Sequence, residues 1–209
     1  MNPRMSRGSA PTIGLVGGIG SGKSAVARLW RESGCCVCES DQLAREALGD
    51  ATIRAALVER WGSSIVSRDG GADGSLDRAV IARIVFADPS ERRALESLTH
   101  PWIERTRRAM FAAAPPGTPA FVIDAPLLLE VGLDRECDAV VFVDAPRRDR
   151  LERVRANRGW SEPELDRREN AQWPLDRKRS RATHIIANDG DLAALEERAA
   201  ATLRSILLG

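Results

Sequence analysis

The chain has no tyrosine, two histidines and two lysines, Lys23 and Lys178. Nearly all of its basic side chains are therefore arginine, and a lysine that survives calls for a reason. Without tyrosine, the large aromatic anchors are five tryptophans and four phenylalanines. Charge of one sign is also lacking. A net charge of +1 over 209 residues gives no overall field to draw the chain to nucleic acid or a membrane surface. No apolar run approaches the ~20 residues of a membrane-spanning helix. Met1 to Pro11 is polar, without the apolar centre of a secretory signal, and reads as a frayed leader. Four cysteines are few for a disulfide framework. Cys35, Cys36 and Cys38 are too tightly clustered for a zinc pair and have no histidine near them. They stand where an apolar strand is expected and read as small buried side chains, which fits a reducing, cytoplasmic compartment. There is no internal repeat.

What is present begins at Thr12. The stretch to Ala25 reads T-I-G-L-V-G-G-I-G-S-G-K-S-A. It contains Gly17-x4-Gly22-Lys23-Ser24, the complete phosphate-loop pattern. A phosphate chain wrapped by backbone N–H groups needs side chains out of the way, and Gly17, Gly18, Gly20 and Gly22 supply that. The amides from Gly20 to Ser24 are expected to form an anion nest backed by a helix N-terminus. Lys23 then offers a point charge to the phosphates, and Ser24 offers a hydroxyl to Mg2+. The flanks agree: Ile13, Leu15 and Val16 predict a buried strand, Ala25 to Glu32 predicts a helix, and Gly34 is placed to end it.

The rest of the chain alternates. Val37-Cys38 predicts a second strand, ending in Glu39-Ser40-Asp41, where open α/β sheets bind ligands. Helices follow at Gln42–Leu48, at Ile53–Trp61 with Thr52 as its cap, from Leu76-Asp77-Arg78, and at Arg92–Leu98 after the Asp88-Pro89 cap. His100-Pro101 predicts a break before another helix from Trp102 to about Ala113. Ser67 to Gly74 reads as a loop, and Pro115 to Pro119 as a turn. Two short apolar runs ending in aspartate, Ala120–Asp124 and Ala139–Asp144, predict parallel strands covered on both faces. Pro146 leads into a helix at Arg150–Arg158. Ser161-Glu162-Pro163-Glu164 is a capping-box sequence for the next helix, which runs to about Gln172. Leu175–Arg181 is a third helix, His184–Ala187 a last strand, and Asp191 the cap of Leu192–Leu207.

Five strands separated by helices predict an α/β fold: a five-stranded parallel sheet flanked by helices, as in P-loop kinases. The core is expected at about 12–41, 115–146 and 183–209. Residues 42–114 read as an acceptor-binding helical insert and 147–182 as a helical lid. That lid sequence holds eleven arginines and Lys178. It reads either as a solvated face or as a surface for polyphosphate, and the phosphate loop favours the second. Trp160 and Trp173, in this polar stretch, are placed to cover a bound ligand.

Phosphoryl transfer needs a cradle, Mg2+, a base for the acceptor hydroxyl and cations on the transferring group. Gly17 to Ser24 supplies the cradle. Asp124 or Asp144 could steer the metal from strand ends. Asp41 is the base candidate, beside the cradle if strands one and two end on the same edge; otherwise it is a cap for the Gln42 helix. Arg153 is the lid cation. His100 reads as a helix-end or acceptor-contact residue more readily than as a base.

These motifs together resemble the dephospho-coenzyme A kinase family from Ile13 to Leu207. They are G-G-I-G-S-G-K-S at 17–24, E-S-D-Q-L-A-R at 39–45, L-D-R at 76–78, H-P-W-I at 100–103, A-P-L-L-L-E at 125–130, R-x-R-A-N-R-G at 153–159, A-Q at 171–172 and N-D-G-D-L at 188–192. The resemblance implies transfer of the ATP γ-phosphoryl group to the 3′-hydroxyl of dephospho-coenzyme A, the last step of coenzyme A synthesis, with Mg2+ as cofactor. It puts ATP on Gly18, Gly20, Ser21, Gly22, Lys23, Ser24, Ala25 and Asn188. It puts the acceptor on Glu39, Asp41, Arg45, His100, Pro101, Leu127, Leu128 and Glu130. The catalytic roles fall on Lys23, Asp41 and Arg153. Partners are small molecules only, in a monomer or weak homo-oligomer. Glu39 and Val16 depart from the family's aspartate and threonine, and Asn157 stands where an arginine is expected.

Two other readings compete. Another small-molecule kinase would share the loop and lid, although the long helical insert suits a large acceptor. A GTPase-type switch would need its guanine-reading motif at Asn188-Asp189-Gly190-Asp191, where the lysine is replaced by an acid.

Overall fold

The computed structural model describes residues 10–67 and 75–209. All but Ala10 and Pro11 of the expected leader, and all but Ser67 of the expected 67–74 loop, lie outside the described residues. The chain divides into two compact units: one holds the described residues up to Glu39 together with Ala114–Gly209, and the other is Ser40–Ala113.

The first unit is built on five parallel strands: β1 Thr12–Gly17, β2 Cys36–Glu39, β3 Phe121–Asp124, β4 Ala139–Asp144 and β5 His184–Ala187, in the order β2-β3-β1-β4-β5. The continuous apolar sequences of β1, β3 and β4 reflect cover on both faces, whereas β5, at the sheet edge, leaves Ile185 46% exposed. Ile13, Leu15, Val122, Val141 and Val143 have no exposed surface. In register, Leu15 and Glu39 both stand opposite Asp124, so β1, β2 and β3 end at one edge. On one face lie α1 Lys23–Glu32 and α9 Leu192–Leu208. Trp30 is 1% exposed and ties them together, its indole N–H donating to the Ala199 carbonyl at 3.0 Å. The end of α1 follows the predicted glycine: Gly34 has φ +90°. Its N–H donates to Arg31 O, and that of Cys35 to Trp30 O, the paired bonds of a Schellman stop. Cys35 and Cys38 are buried and, like Cys36 and Cys137, free thiols.

Between β4 and β5 run α6 Arg147–Arg158, α7 Glu162–Glu169 and α8 Leu175–Arg181, with α8 against β1 and β4. Helix α6 starts three residues before the predicted Arg150, directly after Pro146. The capping box at the start of α7 does not form. Ser161 makes no side-chain cap bond, and the Glu164 carboxylate, which would reach back to it, is committed to Arg167 and Arg168 at 2.7–3.0 Å. A 3-10 turn at Leu133–Glu136 gave no sequence signal.

The second unit is helical: α2 Ser40–Ala47, α3 Ala51–Trp61, α4 Arg78–Ala87 and α5 Pro89–Ala112, with a 3-10 turn at Ser63–Ile65. Its core is Ala47, Ile53, Leu57, Ile65 and Ile81, with Leu95, Leu98, Trp102 and Ile103 packed on it. Helix α3 begins one residue before the expected Thr52 cap. Asp50 caps it instead, accepting from the N–H groups of Thr52 and Ile53 at 2.9 and 3.1 Å. Asp77 and Asp88 cap α4 and α5 in the same way, with Pro89 at the first helical position.

The break predicted at His100-Pro101 does not occur: α5 is continuous over 24 residues with Pro101 inside it. Proline removes one backbone donor and crowds the preceding turn. Leu95, Leu98 and Trp102 lie three and four positions apart, on one face, and all reach the same core. The Trp102 indole N–H also donates to Asp50 at 3.1 Å. Packing on both sides of the proline holds the helix together across it.

Candidate phosphate-binding and transfer site

Gly17 closes β1, and α1 opens at Lys23, so Lys23 and Ser24 occupy the first helical turn, as the motif requires. Gly22 precedes them at φ +97°. The loop's amides are not all turned one way. The Ser21 N–H, expected in the nest, donates to the Gly18 carbonyl at 3.1 Å. The glycines also do something the motif argument missed. Cβ atoms on them would strike the protein's own atoms: Val143 and Ser21 at Gly17, Arg150 at Gly18 and Gly20, and Asn188 at Gly22.

Three residues assigned separately from sequence meet here. Asn188, in the loop after β5, is 5% exposed; its amide Nδ2 donates to the Ser21 carbonyl at 2.7 Å. Its backbone N–H donates to the Asp144 carbonyl at 2.6 Å, fixing the loop to the end of β4. Arg153, from α6, donates to the carbonyls of Gly20 and Ser21 at 3.3 and 3.4 Å. Its other nitrogen reaches the carbonyl and Oδ1 of Asn188 at 3.3 and 3.4 Å. A guanidinium thus lies against the loop that would carry the phosphates. Ser21 Oγ is buried and has no partner among the described residues, a spare donor within the loop.

At the strand ends, Glu39 is paired with Arg31 at 2.6 Å, while Asp144 is paired with Arg179. Asp144 is thereby committed to a guanidinium. Among the described residues, no group of three or more His, Cys, Asp or Glu could hold an ion by itself. Strands β1 and β2 do end at the same edge.

Asp41 is the second residue of α2, inside its first turn rather than outside as a cap, where its charge suits the helix dipole. Within the helical unit α2 packs on α5, so the helices that carry Asp41 and Arg45 and those that carry His100 and Pro101 are neighbours. All four side chains are exposed. Leu127 is half-buried, and Leu128 is fully buried beneath β1, so close to Gly14 that a Cβ there would lie 2.9 Å from it. Glu130 faces inward as well. Its Oε1 accepts from the Trp173 backbone N–H at 2.9 Å and pairs with Lys178 at 2.9 Å.

Lys178 is the residue the sequence marked only by its rarity. It has no exposed surface, and it also donates to Pro126 O and Gln172 Oε1, each at 2.9 Å. It binds the turn after β3 to the segment leading into α8. The expected polyphosphate surface, in contrast, is largely paired with its own acids. Arg147 holds Glu162, Asp166 and Glu169; Arg181 holds Asp134; Arg167 and Arg168 hold Glu164. Arg158 and Arg168 lie over the Trp160 ring at 4.8 and 4.1 Å, and Arg177 over Trp173 at 3.4 Å. The tryptophans read as ligand covers already carry arginines. Burial raises the thiol pKa of Cys35, and of Cys36 despite Arg31 beside it.

Known proteins supply the remaining context. Residues 11–194 match the family model described as Dephospho-CoA kinase. The Dephospho-CoA kinase of Synechococcus sp. (strain CC9605) is 42% identical over 194 residues, covering 92% of this chain and 91% of that one. The crystal structure of TT1252 from Thermus thermophilus superposes with a TM-score of 0.81 at 36% identity, covering 96% of this chain and 100% of that one. A Dephospho-CoA kinase from Campylobacter jejuni shares the fold, with a TM-score of 0.69 at 20% identity over 95% of this chain and 98% of that one.

Proposed function

The chain belongs to the dephospho-CoA kinase family, and on that premise we propose that Gly18, Gly20–Ala25 and Asn188 hold ATP, Lys23 and Arg153 act on the transferring phosphoryl group, and Asp41 takes the proton of the acceptor hydroxyl. The reaction is the ATP-dependent phosphorylation of dephospho-CoA, the last step of coenzyme A synthesis. The 3′-oxygen of the ribose bonds to the γ-phosphorus, the bond from that phosphorus to the β,γ-bridging oxygen breaks, and ADP leaves. The hydroxyl proton passes to Asp41.

The observation that carries this division is the meeting of Arg153, Asn188 and the Ser21 carbonyl at the glycine loop. Arg153 supplies positive charge where it develops on the transferred group, and Lys23 neutralises the phosphates from the helix start. Mg2+ would be held by the Ser24 hydroxyl, with Asp124 assisting from the end of β3; when bound it neutralises phosphate charge. Hydroxyl and carboxylate oxygens are the hard donors this ion prefers. On the acceptor side, Glu39, Asp41, Arg45, His100, Pro101 and Leu127 contact dephospho-CoA, while Leu128 and Glu130 shape that side from within. Helices α6–α8 act as the lid, the helical unit as the acceptor-binding insert, and the enzyme works in the cytoplasm as a monomer or weak homo-oligomer.

The test is an ADP-release assay with ATP, Mg2+ and dephospho-CoA, run against a panel of nucleosides and nucleotides. Turnover with dephospho-CoA alone is expected. Preferential turnover with another acceptor would overturn the acceptor-side roles while leaving the ATP side standing.

A further inference from the structure

We propose that Arg150 is a positioning residue for the phosphate loop, held against it by Glu169, so that α7 and the loop are coupled through one largely shielded ion pair.

The geometry is specific. Arg150 is 4% exposed although it is a cation. Its Nε donates to the Ala145 carbonyl at 3.2 Å and one terminal nitrogen reaches the Ile19 carbonyl, within the loop, at 3.5 Å. The same nitrogen pairs with Glu169 Oε1, from α7. The loop is shaped to this residue. A Cβ on Gly18 would lie 2.9 Å from Arg150 Nη1, and one on Gly20 would lie 2.7 Å from the Arg150 carbonyl. Gly18 thus lets the loop close on the Arg150 side chain, and Gly20 lets it close on the α6 backbone at the same residue. The floor of the cradle is a side chain from α6, and that side chain is fixed from α7.

The pairing is repeated along the two helices. Arg147 and Arg150 are three residues apart on α6. Glu162, Asp166 and Glu169 are four and three apart on α7, which puts them on one face. Arg147 holds all three acids at 2.5–3.5 Å, and Arg150 takes Glu169 from the buried side. The outer pairs are 44–48% exposed apart from Glu169, and are worth little alone. The inner pair is better shielded, Arg150 buried and the Glu169 side chain 18% exposed, so that loss of Glu169 strands the Arg150 charge. The mechanistic consequence is expected on the phosphates, because the loop segment that the Arg150 side chain meets is Gly18-Ile19. A shift of the cradle by about 1 Å is enough to cost roughly 100-fold in transfer.

This inference rests on the ATP-side reading above, not on the identity of the acceptor. The experiment compares wild type with Arg150→Gln, Glu169→Gln and the apolar pair Arg150→Met/Glu169→Leu, which removes the clasp without stranding a charge. Calorimetry measures Mg-ADP and adenosine binding; steady-state assays give KM for ATP and dephospho-CoA; melting curves report folding. The expected result is at least tenfold weaker Mg-ADP binding and a higher KM for ATP in all three variants. Adenosine affinity and KM for dephospho-CoA stay within about twofold, and the apolar pair keeps a near-wild-type melting temperature. The two single variants are non-additive, since each opens the same clasp. Equal loss of adenosine and Mg-ADP binding, or unchanged Mg-ADP binding in a folded apolar pair, would overturn the proposal. Wild-type Mg-ADP binding without turnover of dephospho-CoA would count against the acceptor assignment and leave this comparison intact.

Discussion

The side-chain amide of Asn188 stands where a Cβ on Gly22 would have to go, and from there it donates to the Ser21 carbonyl at 2.7 Å. The loop after the last strand is thereby stitched to the loop after the first. Replacing Asn188 by alanine leaves the buried Ser21 carbonyl without that donor and takes Oδ1 from Arg153. A destabilisation of about 1–3 kcal/mol is expected, with weaker ATP binding and little change in KM for dephospho-CoA. Denaturant unfolding and the two KM values check it.

Lys23→Ala should abolish phosphoryl transfer without unfolding the chain. Lys23 opens α1, where alanine is a good helix residue, so the helix survives its replacement. The check pairs a turnover assay with a melting curve. Near-wild-type turnover in a folded variant would remove Lys23 from the phosphate site.

Asp41→Asn should lower kcat by about 10²–10⁴-fold, the usual worth of a general base. ATP affinity should be almost unaffected. Because Asp41 lies within the first turn of α2 rather than capping it, the helix should lose only a few tenths of a kcal/mol of dipole interaction. Full kcat in the folded variant would leave the residue with that minor structural role alone.

Pro101→Ala separates stability from binding. It returns a backbone donor to the interior of α5 and relieves the clash of the ring with the preceding turn, so the melting temperature should rise, by about 1–3 kcal/mol in stability. If Pro101 touches the acceptor, KM for dephospho-CoA rises in the same variant. A lower melting temperature would mean that the proline ring itself contributes to the packing of α5.

The helical unit should be sensitive to acid. The Ile53 N–H, first among several donors that include the Trp102 indole, holds Asp50 below the ordinary carboxylate range. The Ser90 hydroxyl does the same for Asp88, and the Arg60 guanidinium for Glu91. Lowered values mean stabilisation that is complete above the ordinary carboxylate pKa of about 4 and is lost as pH falls through the lower folded-state values. Melting of this unit should be steady from neutral pH to about 5 and decline below 4. Asp50→Asn should flatten the decline. Circular dichroism melts across that range are the check, and an unchanged slope in the variant would show that Asp50 does not contribute.

What could be read in the sequence follows from the range of each interaction. β4 and β5 were placed to the residue and α8 approximately, because their apolar or helical character is written locally and bounded by proline, threonine or asparagine. Arg153 was legible as a lid cation and Asn188 as an ATP-side residue by resemblance, and the structure brings them to one loop. The continuity of α5 was not legible, since it depends on Leu95, Leu98 and Trp102 finding a core built from other helices. Nor was the occupation of the arginines, although the four- and three-residue spacing of Glu162, Asp166 and Glu169 was there to be matched against Arg147 and Arg150. The inward turn of Glu130 toward Lys178 had no local signal beyond the rarity of lysine itself.

The strand order has a consequence for how the chain is made. β1 and β2 are synthesised first, yet they never pair with each other; β3 enters between them, and it follows the whole of Ser40–Ala113. Until Phe121–Asp124 has been added, two apolar strands wait without an edge to bond, while the helical unit already holds every residue of its own core. Synthesis thus imposes an order, with short-range helix packing early and long-range strand pairing late. In the interval before β3 appears, the backbone edges of the apolar strands β1 and β2 have no strand to close them.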